Sequence, residues 1–445
     1  PRGARPAAAP RAKRAFLGAP ATRHQRPLSS LTVFGGGGTE ERAFSSGRVG
    51  GTGAPGGTYR AFGKYNNRDD SHAAEGGESF DAWSSARAGF RSDYQSSPDT
   101  AVMVSGESYY SNEEIAGRLP TATPPYARIV SEDAYSNGGN LIARLQHSFS
   151  SDSKLEFQTF ADLTNRDDIF LDSTRRTVDV ELQHRYKTSP HSEFSWGGSF
   201  RNSDNDLVGQ SRTIRVADPA QRISLATAFV QDEFAIVPNT LIATIGTKLE
   251  HQDFTGLELQ PSARLRWIPT RHETLWVAVS RATNTPAIVD DDLTVEINSF
   301  VTPDGTPVLT TLLNNRDKPS EHLTAFELGY RRELTPTVSL DFASFANFYE
   351  NYITTEPVGE RLVTDDGSPY ILNEVIAQDL GRARSYGGET ALEWHPTKVL
   401  RVSGSYSYIS IEKSEKPGSR DIIGDLIEGE TPKNLFQLRT MWNVT

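Results

Sequence analysis

From about Leu31 onward, apolar and polar residues alternate over stretches of roughly nine to twelve positions, the period-2 pattern of a strand with two unlike faces. Residues 178–186 read VDVELQHRY: Val178, Val180, Leu182 and Tyr186 share one face, and Asp179, Glu181, Gln183 and Arg185 the other. Residues 400–408 read LRVSGSYSY and set Val402, Gly404, Tyr406 and Tyr408 against Arg401, Ser403, Ser405 and Ser407. The same alternation sorts Leu141, Ala143, Leu145 and Phe149 from Arg144, Gln146 and Ser148. It also sorts Leu265 and Trp267 from Arg264 and Arg266, and Phe326, Leu328 and Tyr330 from Glu327. Strands of a soluble sandwich run about five or six residues. A tilted strand that crosses hydrocarbon needs about 9–11. Helical periodicity of comparable length is missing.

The connections alternate in length. Short turns are predicted at residues 151–154, 188–192, 238–240, 269–272, 334–337 and 395–398. Between them lie long polar stretches at 165–177, 202–221, 253–260, 284–321, 352–382 and 412–433. An antiparallel meander across a membrane produces this segregation, with short turns on the periplasmic side and long loops outside. The predicted fold is therefore all-β, a transmembrane antiparallel up-and-down β-barrel.

About eighteen strand candidates fit between Leu31 and the C-terminus, an even number as bacterial outer-membrane barrels have. An open barrel leaves unpaired edges in lipid, so the expected barrel is incomplete, truncated at its C-terminal end. Residues 1–30 are dense in Pro, Ala and Arg without periodicity and are predicted to be disordered. A basic targeting segment is the alternative reading; the apolar stretch of a signal peptide is missing. Residues 31–445 form the predicted barrel domain.

Aromatic side chains gather near predicted strand ends: Trp196, Trp267, Trp276, Trp394 and Trp442, with Tyr186, Tyr330, Tyr406 and Tyr408. Amphipathic rings settle at the headgroup level, so the five tryptophans are candidate membrane-girdle residues. An aromatic core in a soluble β protein is the competing reading. On the polar faces, Arg185, Arg264, Arg266, Glu327, Glu393 and Arg439 are candidates to line a water-filled lumen.

Composition narrows the function classes. Hydrophobic residues make up 36% of the 445 positions, and the mean hydropathy is −0.50. No apolar run approaches the ~20 residues of a membrane helix. With 57 acidic and 46 basic residues the net charge is −11, which argues against a nucleic-acid partner. Cysteine is absent, so disulfides, thiolate metal sites and thiol nucleophiles are excluded.

Several segments resemble, in order, the TonB-dependent receptors of Gram-negative bacteria. Residues 32–49 (TVFGGGGTEERAFSSGRV) are similar to the first barrel hairpin after the plug, and 58–70 (TYRAFGKYNNRDD) and 81–94 to the next strands. Residues 261–286, PSARLRWIPTRHETLWVAVSRATNTP, resemble the mid-barrel signature of that family. FELGY at 326–330, GETALEW at 388–394, and residues 339–349 and 432–442 also match in order. The family's barrel has about 22 strands, so the resemblance implies that about four C-terminal strands, the plug and the TonB-contacting box lie outside this chain. It implies a monomeric outer-membrane receptor-transporter embedded in lipid and lipopolysaccharide. Its extracellular loops would capture a scarce metal chelate, an iron-siderophore complex first of all, with TonB supplying the energy. A passive porin-like or structural barrel is the alternative, and a secreted carbohydrate-binding β protein stands behind it.

No cofactor and no enzymatic activity are expected. The nine histidines form no HExxH pair, and the serines no GxSxG elbow. Glycine runs at 35–38 and 50–57 lack the phosphate-loop pattern and read as hairpins. NRDD occurs at 67–70 and 165–168, where cation binding competes with the plainer reading of solvated loop starts. Asp290, Asp291 and Asp292, with Tyr352, are candidate ligand-loop residues; a solvated charge run is the plainer reading of the aspartates.

Overall fold

The computed structural model describes residues 30–72, 79–209, 213–365, 368–421 and 431–443. The expected disorder of residues 1–30 lies outside them, except at Ser30, which opens the first strand.

Alternating sequence becomes one large sheet. It begins with β1 (Ser30–Gly36), β2 (Ala43–Thr52), β3 (Gly57–Arg68), β4 (Trp83–Ser97), β5 (Thr100–Pro120) and β6 (Ala127–Ser150). It continues through β7 (Ser153–Asp167), β8 (Leu171–Ser189), β9 (Ser192–Gly209), a short β10 (Ile214–Val216), β11 (Ala220–Val237), β12 (Leu241–Gln252), β13 (Gly256–Thr270) and β14 (Glu273–Asn284). An insertion carries α1 (Ile288–Asp292), β15 (Leu293–Val301) and β16 (Pro307–Leu313). The sheet resumes with β17 (Glu321–Thr335), β18 (Val338–Asp365), β19 (Ser368–Trp394), β20 (Leu400–Glu415) and β21 (Asn434–Trp442). Setting aside β10, β15 and β16, eighteen of the 21 described strands form an unbroken antiparallel meander in which β9 pairs with β11 and β14 with β17. Among the described residues no ladder joins β1 to β21, and both strands are exposed along their length.

Short turns close one end. Between β11 and β12, Pro238 presets the first turn residue, Asn239 takes the second at φ 60°, and Thr240 N donates to Val237 O at 3.0 Å. That combination is a type II turn built from the residues it favours. Between β6 and β7, Asp152 receives the Lys187 ammonium at 2.6 Å, which ties the turn to β8.

The other end departs from the sequence prediction. Strands there reach 28 residues in β18, 27 in β19 and 24 in β6, where nine to twelve were expected. Residues 352–382, read as a loop, are a hairpin paired from Tyr352↔Gly381 to Asp365↔Ser368. Likewise β7 and β8 consume most of residues 165–177, leaving only a tight turn. Toward these tips the two faces no longer divide into one apolar and one polar, so the apolar/polar alternation fades while backbone pairing continues; hydropathy then mimics a loop. Bulges at Tyr352 and between Pro357 and Gly359 bend the β18–β19 hairpin, and Pro357 sits at the edge of such a bulge, a position where sheets tolerate proline.

Dry packing is concentrated at this same end. Leu119, Ala134, Ile169 and Leu207 are buried near the tips of β5 to β9, and Leu293, Val308, Leu309, Val375 and Ala377 beneath the insertion. Strand β16 pairs in parallel with β19, from Val308↔Ile371 to Leu313↔Ile376, while β15 joins β16 to β10. The insertion is thus a small sheet that bridges from β19 to β10. Ser299 Oγ donates to Tyr126 O in the β5–β6 turn, so the sheet must curl to bring its fifth strand to an insertion following β14.

Candidate ligand mouth and conduit

Register sorts the wall side chains. On the apolar face Thr159, Val180 and Phe200 align across β7, β8 and β9, and Val279, Phe326 and Ala346 across β14, β17 and β18. The opposite face carries ion pairs. Asp179 accepts Arg201 Nε at 3.0 Å, with the guanidinium 5.4 Å from the Phe160 ring. Arg144 donates to Gln158 at 2.9 Å, and Lys248 pairs with Glu250. A pair open to water contributes about 0–1 kcal/mol, Asp179 at 4% exposed being the buried exception; their joint effect is to hydrate one side of the sheet.

The six residues predicted to line a lumen all fall on this polar face. Arg185 lies 3.5 Å from Glu193, and Arg266 3.5 Å from Glu233. Arg264, Ala278 and Glu327 form one row across β13, β14 and β17. Glu393 accepts from Arg401 and from His395, each at 2.6 Å, and Arg439 stands opposite Ser403.

Of the predicted girdle residues, Trp196, Trp267, Trp394 and Trp442 lie on the apolar face at the short-turn end, partly or largely exposed. Trp196 sits edge-on to His184 at 5.8 Å, beside His147, Phe149, Tyr186 and Phe194. Trp276 is a correction. It is in register with Arg266 and Gly329 on the polar face, and Arg264 stacks over its ring at 5.1 Å. Strand alternation is the cause: Leu275, Val277 and Val279 take the apolar face and leave Trp276 on the other.

Trp276 exemplifies a device that sequence reasoning missed. A Cβ at Gly329 would stand 2.1 Å from Trp276 Nε1, so the ring rests on a glycine of the next strand. The same arrangement places Tyr109 on Gly138, Phe229 on Gly197, Phe62 on Gly89 and Phe345 on Gly387, all on the polar face. Arg87 covers Tyr109 at 5.9 Å as Arg264 covers Trp276. Bulky rings lie down along the wall and leave the space in front of it open. The signal in sequence was an aromatic on the polar side of an alternating strand.

At the long-strand end the acidic run is not displayed as expected. Asp291 and Asp292 are 2% and 1% exposed; the Asp290 side chain lies outside the described residues. Asp292 Oδ1 accepts Arg316 Nε at 2.9 Å, while Ala217 N donates to Asp292 O at 2.9 Å. Arg316 also faces Asp218 at 3.7 Å. The aspartates therefore fasten the insertion to the β10 side, because a buried carboxylate needs a cation and hydrogen bonds. Tyr352 belongs to β18 rather than to a loop, with the Lys413 ammonium 5.0 Å from its ring centroid. The NRDD segments are structural ties: Asp70 caps Asp81 N and Ala82 N at 3.0 and 3.1 Å, and Asp168 caps Phe170 N and Leu171 N at 2.8 and 3.0 Å. Among the described residues no group of three or more His, Cys, Asp or Glu is placed to hold a metal ion.

Residues 26–445 match the family described as TonB dependent receptor-like, beta-barrel. The chain belongs to that family. The siderophore receptor PirA from Acinetobacter baumannii superposes with a TM-score of 0.70 at 14% identity, over 94% of this chain and 64% of that one. PirA from Pseudomonas aeruginosa gives 0.63 at 16% identity, over 84% and 63%. The copper transporter OprC gives 0.62 at 14% identity, over 86% and 61%. At such identities the likeness shows the fold alone. The chain spans somewhat less than two thirds of the length of these structures. No curated protein matches the sequence. Outer-membrane barrels of this kind carry short turns on the periplasmic side and longer loops outside.

Proposed function

We propose that this chain is the barrel of an outer-membrane receptor-transporter that takes up a metal chelate, an iron-siderophore complex first of all, with energy delivered through TonB in the whole protein. The observation that carries this reading is the packed bridge over the outer end. A passive pore has no use for an insertion zipped onto β19, pinned by Arg316 to Asp292 and tied to the β5–β6 turn. A receptor uses such a platform to hold ligand contacts in fixed positions. The apolar face meets lipid, the ion-paired face meets water inside the tube, and the chain's work is capture and passage rather than bond chemistry. A similar structure, a variant of the ferric enterobactin receptor PfeA from Pseudomonas aeruginosa in complex with enterobactin, supports the ligand class.

The test is uptake by a strain expressing the whole receptor, supplied with radiolabelled ferric chelates under iron limitation and with a copper complex in parallel. Saturable accumulation of a ferric chelate that stops when TonB is deleted is expected. Uptake that persists without TonB would establish the passive pore instead, and exclusive accumulation of copper would replace the iron assignment.

A further inference from the structure

Cations on the polar face mostly stand beside acids. Arg144 lies 3.3 Å from Glu156, Arg185 3.5 Å from Glu193 and Arg201 3.0 Å from Asp179. On the first strands cation meets cation instead. Lys64 of β3 is directly opposite Arg87 of β4, and Arg60 is directly opposite Arg91. Between these two rows Arg48 of β2 is opposite Phe62. Like charges facing each other across strands destabilise a sheet. Only two acids are paired with these five cations among the described residues: Asp93 accepts Arg91 at 2.6 and 2.7 Å, and Glu107 lies 3.2 Å from Arg87. Arg48 and Lys64 form no hydrogen bond or ion pair among the described residues.

The wall is hollow in front of the Lys64–Arg87 row. A recess of about 320 Å³ has Lys64, Asn66, Ser85, Arg87, Tyr109 and Ser111 in its lining. Asn66 is opposite Ser85, and Ser85 opposite Ser111, so amide and hydroxyl groups form the next row beyond the two cations. Tyr109 is opposite Arg87, and its ring lies down on Gly138 with the guanidinium 5.9 Å from its centroid. The lowered ring leaves the cations uncovered from the lumen side. The recess occupies the half of the wall away from the short β2–β3 and β4–β5 turns, and Arg48 and Arg60 continue the positive charge toward those turns.

Resting on the receptor-transporter reading above, we propose that this recess is a stopping point in the conduit for a chelate of net negative charge, and that it selects anionic over neutral ferric chelates. Lys64 and Arg87 hold the anionic oxygen donors in charge-assisted hydrogen bonds, and Asn66, Ser85 and Ser111 bond the rim of the chelate. A bound anion removes the repulsion that the empty wall carries; a neutral chelate leaves it in place. A lumen stripe of one sign also raises the local concentration of the oppositely charged ligand.

The whole receptor, expressed under iron limitation, is supplied with two radiolabelled probes: a ferric tris-catecholate trianion and a neutral ferric trihydroxamate. Wild type is expected to prefer the trianion. R48Q/K64Q is expected to slow its TonB-dependent uptake at saturating concentration by at least about ten-fold, with surface capture in cells lacking TonB unchanged, and K64R to restore uptake. Loss of a cation opposite a cation relieves strain, so K64Q is expected to raise the guanidinium unfolding midpoint of the purified receptor, the reverse of what loss of a structural contact does. Trianion uptake that is indifferent to R48Q/K64Q, or a preference for the neutral probe, overturns the proposal. So does a carbodiimide crosslink from Lys64 to an acidic residue elsewhere in the whole receptor, formed equally with and without chelate, because the cations then serve an internal partner. If R48Q/K64Q does not reach the outer membrane, K64Q and K64R decide singly. Uptake of ferric chelates without regard to charge sinks this proposal alone; absence of TonB-dependent uptake of any ferric chelate sinks the reading beneath it as well.

Discussion

Replacing Gly329 with alanine tests how the wall is packed. The new methyl would lie 2.1 Å from Trp276 Nε1 and 2.6 Å from Cζ2, far inside contact distance. Overpacking of this kind costs about 1–3 kcal/mol. The ring cannot simply lift away, because its other side carries Arg264 at 5.1 Å, a contact that contributes about 0.5–1 kcal/mol. In a Trp276→Ala background the methyl meets open space. There Gly329→Ala should be neutral or stabilise by up to about 0.5 kcal/mol through the unfolded chain. The coupling energy of the double-mutant cycle is therefore about 1–3 kcal/mol. It is measured by guanidinium unfolding of protein embedded in phospholipid bilayers, with heat-modifiable migration as the second probe. Equal cost of Gly329→Ala in both backgrounds would refute the ring-on-glycine account and, with it, the placement of Trp276 on the polar face.

Arg316→Ala leaves the Asp292 carboxylate, 1% exposed, without its cation and should loosen the bridging sheet by about 1–3 kcal/mol. Faster amide exchange across β15 and β16, with the wall strands unchanged, is the expected readout, and unchanged exchange in β15 contradicts the fastening role. Burial raises the Glu356 pKa, but hydrogen bonds from Ser419 Oγ and Arg420 N, both at 2.6 Å, outweigh it and hold the carboxyl below its usual range. Docking of residues 416–421 on β18 thus gains stability that is complete above the ordinary carboxylate pKa of about 4.3 and lost as pH falls through the lowered value. Protease sensitivity of that segment should rise in acid, and Glu356→Gln should flatten the dependence. Lipids brominated on the acyl chain near the headgroup should quench Trp196, Trp267 and Trp394 but spare Trp276, as single-tryptophan variants will reveal; strong quenching of Trp276 contradicts its assigned face.

Inside the bilayer the fold was legible because one face must be apolar and the other wet. The alternation at Val178, Val180 and Leu182 gave strand, face and register together, and eighteen strands stand in the meander where about eighteen were expected. The same alternation, followed through Leu275, Val277 and Val279, would have placed Trp276 correctly; the tendency of tryptophan to sit in girdles overrode it. Outside the bilayer that constraint vanishes, so residues 353–365 look like loop although they pair with 368–381. The buried state of Asp291 and Asp292 depends on Arg316, which is 24 positions from Asp292 in sequence, and no local pattern announces such a partner.

The parallel pairing of β16 with β19 sets an order of events during biogenesis. Asn315 bonds to the carbonyl of Ala377, 62 positions later, and contacts of that span close only after the intervening chain has been laid down. β16 can therefore zip onto the wall only once β19 stands in it. An assembling barrel stalled before β19 would stand with its outer door ajar, and its insertion would be the segment cut first by protease added from outside the cell.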